Sequence, residues 1–202
     1  MSKTIKTIVF DIGNVLMTYD WEGYLNTLFP DNLIISEIRD SLAKCDFWKI
    51  MDLGLMSEDK LVSLLQNSAP NYPNEIIYTY QNLGNSLKRC DYSIPWILEL
   101  KESGLQVLYL SNYSYNTICK NPDIFDFLNF MDGGILSSEV HMLKPNELIF
   151  NTLFEKYDVS PSASLLIDDD LSNIEAASGL GMDTILFQNY AQAHLELLDK
   201  II

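Results

Sequence analysis

Five short apolar runs, joined by stretches of helical spacing, leave this chain few ways to fold. Ile5 to Phe10 runs into Asp11, and Gln106 to Leu110 into Ser111-Asn112. Gly134 to Leu136 is shorter, Ser164 to Ile167 runs into Asp168-Asp169-Asp170, and Thr184 to Phe187 lies near the C-terminus. Pro95 opens a helical stretch that Gly104 ends. Pro145 opens another, with Ile149, Leu153 and Phe154 facing inward and Tyr157 near its end. Ser172 and Glu175 have capping-box spacing for a third, and Ala193 to Ile202 reads as a closing amphipathic helix. Strands joined by crossovers of this length pair in parallel, with helices on both faces. The fold class is therefore α/β, with a Rossmann-like parallel sheet as its core. Ligands of such sheets bind beyond the carboxyl ends of the strands, where Asp11, Ser111-Asn112 and Asp168-Asp169 are expected.

From about Tyr19 to Leu87 the pattern is helical throughout. Asp20 is positioned to cap a helix carrying Trp21, Tyr24, Leu25 and Leu28 at three- and four-residue steps. Ile35, Ile38 and Leu42 mark a second helix. Ser57 caps a third, with Leu61, Leu64 and Leu65 inside, and Ile76, Ile77, Tyr80, Leu83 and Leu87 mark a fourth. The spacing predicts a small helical bundle inserted between the first strand and the rest of the sheet.

Charge narrows the function. The formal net charge is −15, a surface that repels nucleic acid and anionic membranes, so neither is an expected partner. No apolar run is long enough for a transmembrane helix. The first residues lack a signal-peptide core, so a cytoplasmic location is expected. Three cysteines without a C-x-x-C pair argue against a disulfide scaffold or a zinc site. If the substrate is a phosphate ester, a local cation must reverse the field at the site.

The ordered motifs V-F-D-I-G-N-V (Val9 to Val15), L-S-N (Leu110 to Asn112), L-K-P (Leu143 to Pro145) and I-D-D-D-L-S-N-I-E-A-A (Ile167 to Ala177) resemble the four motifs of the haloacid dehalogenase (HAD) superfamily. The F-D-x-G-N-V form and the stretch Asp52 to Ser57 are similar to bacterial phosphatases acting on α-glucose 1-phosphate and related sugar phosphates. The resemblance implies a HAD-like core over 1–17 plus 91–202, with residues 18–90 as a helical C1-type cap. It implies a magnesium-dependent phosphatase of a small phosphorylated metabolite, with Asp11 as the nucleophile. Mg²⁺ would be held by Asp11, Asp169, Asp168 and the Gly13 carbonyl. Lys144 is the fixed cation for the transferring group, and Ser111 and Asn112 donate to phosphate oxygens. The cap loop around Trp48, Asp52, Gly54 and Ser57 is the implied specificity element, although Phe47 and Trp48 are also suited to packing the bundle.

The residues support this chemistry on their own terms. A carboxylate can attack phosphorus in line only if positive charge offsets the approach of two anions. Hard oxygen ligands on Asp168 and Asp169 suit Mg²⁺, and adjacent carboxylates without a cation are costly. Asp170 reads as a solvated or supporting carboxylate, and Asn173 as a cap or a positioning amide. His141 and His194 read as surface residues, and Tyr113 as packing beside the site. The family's pattern has a second Asp two residues after the nucleophile, where this chain has Gly13. Without that acid, esters with good leaving groups are favoured, so a sugar 1-phosphate is expected to react faster than a 6-phosphate. Two other readings fit Gly13: a 2-haloacid dehalogenase, which needs no metal, and a non-catalytic binding protein on the same scaffold.

Overall fold

The structure, a computed structural model, describes Thr4 to Ile201. Met1 to Lys3 and Ile202, the latter the expected end of the last helix, lie outside the described residues. The strands are β1 (Thr7–Phe10), β2 (Met17–Tyr19), β3 (Leu87–Arg89), β4 (Gln106–Ser111), β5 (Gly133–Leu136), β6 (Ser164–Asp168) and β7 (Asp183–Leu186). The helices are α1 (Trp21–Leu28), α2 (Asn32–Lys44), α3 (Phe47–Leu53), α4 (Glu58–Ser68), α5 (Pro73–Gln81), α6 (Ser93–Glu102), α7 (Tyr115–Lys120), α8 (Ser137–Val140), α9 (Glu147–Tyr157), α10 (Leu171–Gly179) and α11 (Tyr190–Ile201).

Five strands form one parallel sheet in the order β5-β4-β1-β6-β7. Every residue of β1 and β6 is buried, as central strands of a doubly covered parallel sheet require. Alternation sends Ile8 and Phe10 to one face, where Trp96 and Ile97 of α6 and Leu197 of α11 pack. The Phe10 and Trp96 rings meet edge to face at 4.8 Å. Val9, Leu108 and Leu166 point to the other face, against Phe150 and Leu153 of α9 and Ala177 of α10. The register sets Phe10 beside Tyr109 of β4 and Ile167 of β6. The residues that follow therefore leave the sheet at the same edge.

Between β1 and α6 the chain makes a helical insertion. Its two crossing segments, β2 and β3, pair antiparallel, with Met17 opposite Arg89 and Tyr19 opposite Leu87. Beyond that ribbon the inserted helices bury their own apolar cluster, which includes Leu25, Ile38, Phe47, Leu65 and Ile76. Asp20 caps α1 by accepting the Gly23 N–H at 2.8 Å. The ribbon puts Leu87 in a strand rather than at the end of α5, which stops at Gln81 and hands over to a 3₁₀ turn, Leu83–Ser86.

Several helix starts differ from the sequence reading by a few residues. Pro145 lies two residues before α9, and Asn146 caps that helix by accepting the Leu148 N–H. Asp170, not Ser172, caps α10, because its carboxylate reaches both the backbone N–H and the hydroxyl of Ser172 at 2.7 Å. A carboxylate at the N-cap also suits the helix dipole better than a hydroxyl does.

Candidate active site

Asp11 follows β1 directly and donates its N–H to Ile167 O at 2.9 Å, which holds its carboxylate against the end of β6. Tyr92 and Ser93, at the start of α6, bond the carbonyls of Val15 and Leu16 and pin the loop behind it. Asp168 ends β6 and is fully buried. Lys144 reaches between them, with Nζ at 2.5 Å from Asp168 Oδ2 and 3.0 Å from Asp11 Oδ1. The Lys144 backbone is held by Asn112, which donates its amide to Lys144 O at 3.0 Å and accepts the Lys144 N–H at 2.8 Å. That reciprocal pair ties the tip of β4 to the L-K-P segment. Ser111, the last residue of β4, is buried beside Asp11 and bonds its carboxylate.

Asp168 uses its second oxygen as well. Oδ1 accepts the Asp170 N–H at 2.9 Å and the Asn173 amide at 3.0 Å. The bend that follows turns Asp169 out into the cleft, where Asn14 donates to its Oδ2 at 3.0 Å. Asn14 has φ 55°, a left-handed conformation that Asn tolerates better than most residues. Gly13 lines the same cleft.

The electrostatics follow from two carboxylates sharing one ammonium. Burial pushes the Asp11 carboxyl up to about 6, opposed by the charge of Lys144 and the Ser111 hydroxyl and reinforced by Asp168. Burial pulls the Lys144 ammonium down, but the charges and hydrogen bonds of Asp11 and Asp168 outweigh it, so its pKa is raised.

The donor set fits a hard divalent cation. Ligand oxygens of Asp11, Asp168 and Asp169 all lie within 4.8 Å of one another. The buried Oδ1 of Asp11 meets Lys144 only as an ion pair and has no hydrogen-bond partner among the described residues. A clustered set of carboxylate oxygens suits Mg²⁺, a hard cation that takes oxygen ligands.

These residues form the floor of a cleft of about 940 Å³ whose other walls come from the insertion. Trp48 lines the cleft and packs on Trp21 at 5.5 Å, whereas Phe47 is fully buried in the bundle. Both aromatics pack the bundle, their rings meeting edge to face at 4.9 Å, and Trp48 also faces the cleft. Tyr113 is half-buried in the cleft and packs edge-on against Phe125, as its packing role anticipated. His194 pairs with Glu99 away from the site. His141 is exposed but lies at the cleft's edge, its Nδ1 2.7 Å from Leu53 O.

The structure adds residues that the sequence did not single out. Asn14 orients Asp169, and Tyr19 lines the cleft with its phenol raised by burial and by Asp169. Glu58 of α4 and Lys120 of α7 form an ion pair from the insertion to the core. Asn14 was the legible one, since it directly follows the Gly of the first motif.

Known proteins resemble the chain at several levels. It is 22% identical over 182 residues to a sesquiterpene phosphatase of Aspergillus oryzae, covering 90% of this chain and 89% of that protein. It is 26% identical over 205 residues to D-ribitol-5-phosphate phosphatase of Bacteroides thetaiotaomicron, covering 96% and 97%. In fold it matches a HAD family enzyme of the same bacterium, solved with magnesium and inorganic phosphate, with a TM-score of 0.73 at 21% identity over 94% of this chain and 98% of that one. Residues 34–187 match the family described as haloacid dehalogenase-like hydrolase, and with that match over most of its length the chain belongs to that family.

Proposed function

We propose that this chain is a Mg²⁺-dependent phosphatase of small phosphorylated metabolites, working through an aspartyl-phosphate on Asp11, with sugar 1-phosphates as favoured substrates. The observation that carries the reading is the buried Lys144, bonded to Asp168 and paired with Asp11 at the floor of a cleft that Asp169 also lines. Relatives named as phosphatases, and a fold neighbour solved with magnesium and phosphate, support it.

Each residue has a task in this reading. Asp11 attacks phosphorus, held in line by its bond to the end of β6. Lys144, the Ser111 hydroxyl and the Asn112 N–H bind the phosphoryl oxygens as negative charge builds there. Asp11, Asp168, Asp169 and the Gly13 carbonyl are the groups that would hold Mg²⁺. When bound, the ion supplies positive charge that offsets the repulsion between carboxylate and phosphate. Residues 1–17 plus 91–202 serve as the catalytic core and 18–90 as the cap that encloses the ester. Gly13 carries no acid, so the loop after β1 cannot protonate a leaving oxygen, and an anomeric phosphate leaves more easily than an alkyl one.

The test is a panel of phosphorylated metabolites assayed with Mg²⁺ and with EDTA. Hydrolysis that needs Mg²⁺, disappears in Asp11→Asn and runs faster on a sugar 1-phosphate than on its 6-phosphate is expected. Turnover of a 2-haloacid that survives EDTA would replace this reading with dehalogenation. No turnover, and no thermal shift with Mg²⁺ and vanadate, would leave a binding protein.

A further inference from the structure

In-line attack from Asp11 sends the leaving oxygen away from the sheet, toward the wall of the cleft that the insertion builds. Departure of an alkoxide needs a proton, and the later attack of water on an aspartyl-phosphate, from that same side, needs a base. The acids and bases around the cleft are mostly committed elsewhere. Asp168 bonds Lys144, Asn173 and the Asp170 N–H, Asp169 holds Asn14, and Asp170 caps α10. Glu58 is paired with Lys120, and Glu139 and His141 are exposed at the cleft's edge.

Asp52 differs from all of these. It lies near the end of α3 and lines the cleft together with Asp11. Its carbonyl accepts the Ser137 hydroxyl at 2.5 Å, and the next carbonyl, Leu53 O, meets His141. The backbone is thereby fastened to α8 and the loop that follows it, while no donor or cation engages the carboxyl among the described residues. From the geometry we infer that Asp52 is the general acid and base of the reaction, supplied by the insertion in place of an acid at position 13. This rests on the phosphatase reading and adds to it the proton path.

The steps balance. As the Asp11 oxygen bonds phosphorus and the ester P–O bond breaks, protonated Asp52 gives its proton to the leaving oxygen, and the alcohol departs. Asp52 carboxylate then takes a proton from water as the water oxygen bonds phosphorus and the Asp11–phosphorus bond breaks. Asp11 and protonated Asp52 are restored, and phosphate leaves. Burial, then the charge of Asp11, lifts the Asp52 carboxyl to about 7, where both forms are available near neutral pH. Tyr19 and Tyr113 flank it in the cleft, and both phenols are raised as well, by burial and by the carboxylates beside them. At neutral pH neither phenol is ionised, so neither can serve as the base that activates water.

The experiment uses the full chain with Mg²⁺ and a series of esters: 2,4-dinitrophenyl, 4-nitrophenyl and phenyl phosphate, then a sugar 6-phosphate. Asp52→Asn should leave kcat/KM for the dinitrophenyl ester within about threefold, because that leaving group needs no proton. The loss should grow along the series to about 10²–10⁴ on the sugar ester. With the dinitrophenyl ester, a burst of product should precede slow turnover as the phospho-enzyme accumulates, and Asp52→Glu should recover part of the alkyl activity. A loss of equal factor on all four esters, or no loss, would overturn the role. Failure of the wild-type chain to hydrolyse any of them would sink the phosphatase reading itself, and this role with it.

Discussion

Lys144 is the residue on which both folding and chemistry lean. Its side chain is 1% exposed, between Asp11 at 12% and Asp168 at 0%. A buried pair is a weak source of net stability, but breaking one from a single side leaves an uncompensated charge. Lys144→Met should therefore cost about 3–5 kcal/mol, read by denaturant unfolding. Adding Asp168→Asn should recover much of that stability while activity stays lost. A single mutant within 1 kcal/mol of wild type would show that the carboxylates do not depend on the ammonium. Asp52 makes the opposite contribution. Its carboxyl rises from 3.8 to about 7 on folding, so between those values the native state holds a proton that the unfolded chain has lost. Metal-free stability should then fall as pH rises from about 4 to 7, and be full below 4. Asp52→Asn should remove that part of the slope, leaving the variant about 1–2 kcal/mol more stable than wild type at pH 8, allowing for partial solvent screening, and equal to it at pH 4. Equal stabilities at pH 8 would mean that the cleft does not penalise the charge.

The strand tips were legible because their signal is local: a fully buried four-residue strand such as Thr7–Phe10 is mostly apolar, and a carboxylate just after it stands out. The insertion was legible as helices, since Ile35, Ile38 and Leu42, and again Leu61, Leu64 and Leu65, recur at helical spacing and do pack in its core. What escaped was set by length or by tertiary contact. The strands Met17–Tyr19 and Leu87–Arg89 have three residues each, too few to show alternation. The seven-residue α3 has too few turns to show a periodic face. Nothing local indicates that its end lies against α8, yet that contact is what carries Asp52 into the cleft. Gly54 is the pivot of the contact. It has φ +62°, and a Cβ there would lie 2.6 Å from Ser138 O, a backbone atom that cannot swing aside. Gly54→Ala should undock α3 from α8, with a left-handed penalty of roughly 1–2 kcal/mol adding to the clash. Hydrogen exchange over Phe47–Leu53 should quicken by about 5–30-fold, and kcat/KM should fall. Gly179→Ala is the control, because its added methyl group meets nothing within 4 Å. Unchanged exchange in the Gly54 variant would mean that the insertion is held by its other links, such as Glu58 to Lys120.

The charge of the chain as a body works against the site it contains. Acidic residues outnumber basic ones by 28 to 13, for a net charge of −15, while the proposed substrate is itself a dianion. Lys144 and Lys120 line the cleft, but their fields act over a few ångströms, whereas the acidic surface acts out to the screening length. That length is about 30 Å at 0.01 M salt and about 8 Å at 0.15 M. At low salt an approaching phosphate ester therefore meets net repulsion before it reaches the lysines, and added salt removes the repulsion without reaching the enclosed site. With Mg²⁺ held at saturation, kcat/KM for a dianionic ester should rise severalfold, up to about tenfold, between these two salt concentrations. Turnover at saturating substrate should hardly change, because the groups that act on the bound phosphoryl group are buried and weakly screened. The separation of the two constants distinguishes encounter from chemistry, since an effect of salt on the folded core would move both. A kcat/KM that falls with added salt would mean that the cations of the cleft, not the acidic surface, govern the approach.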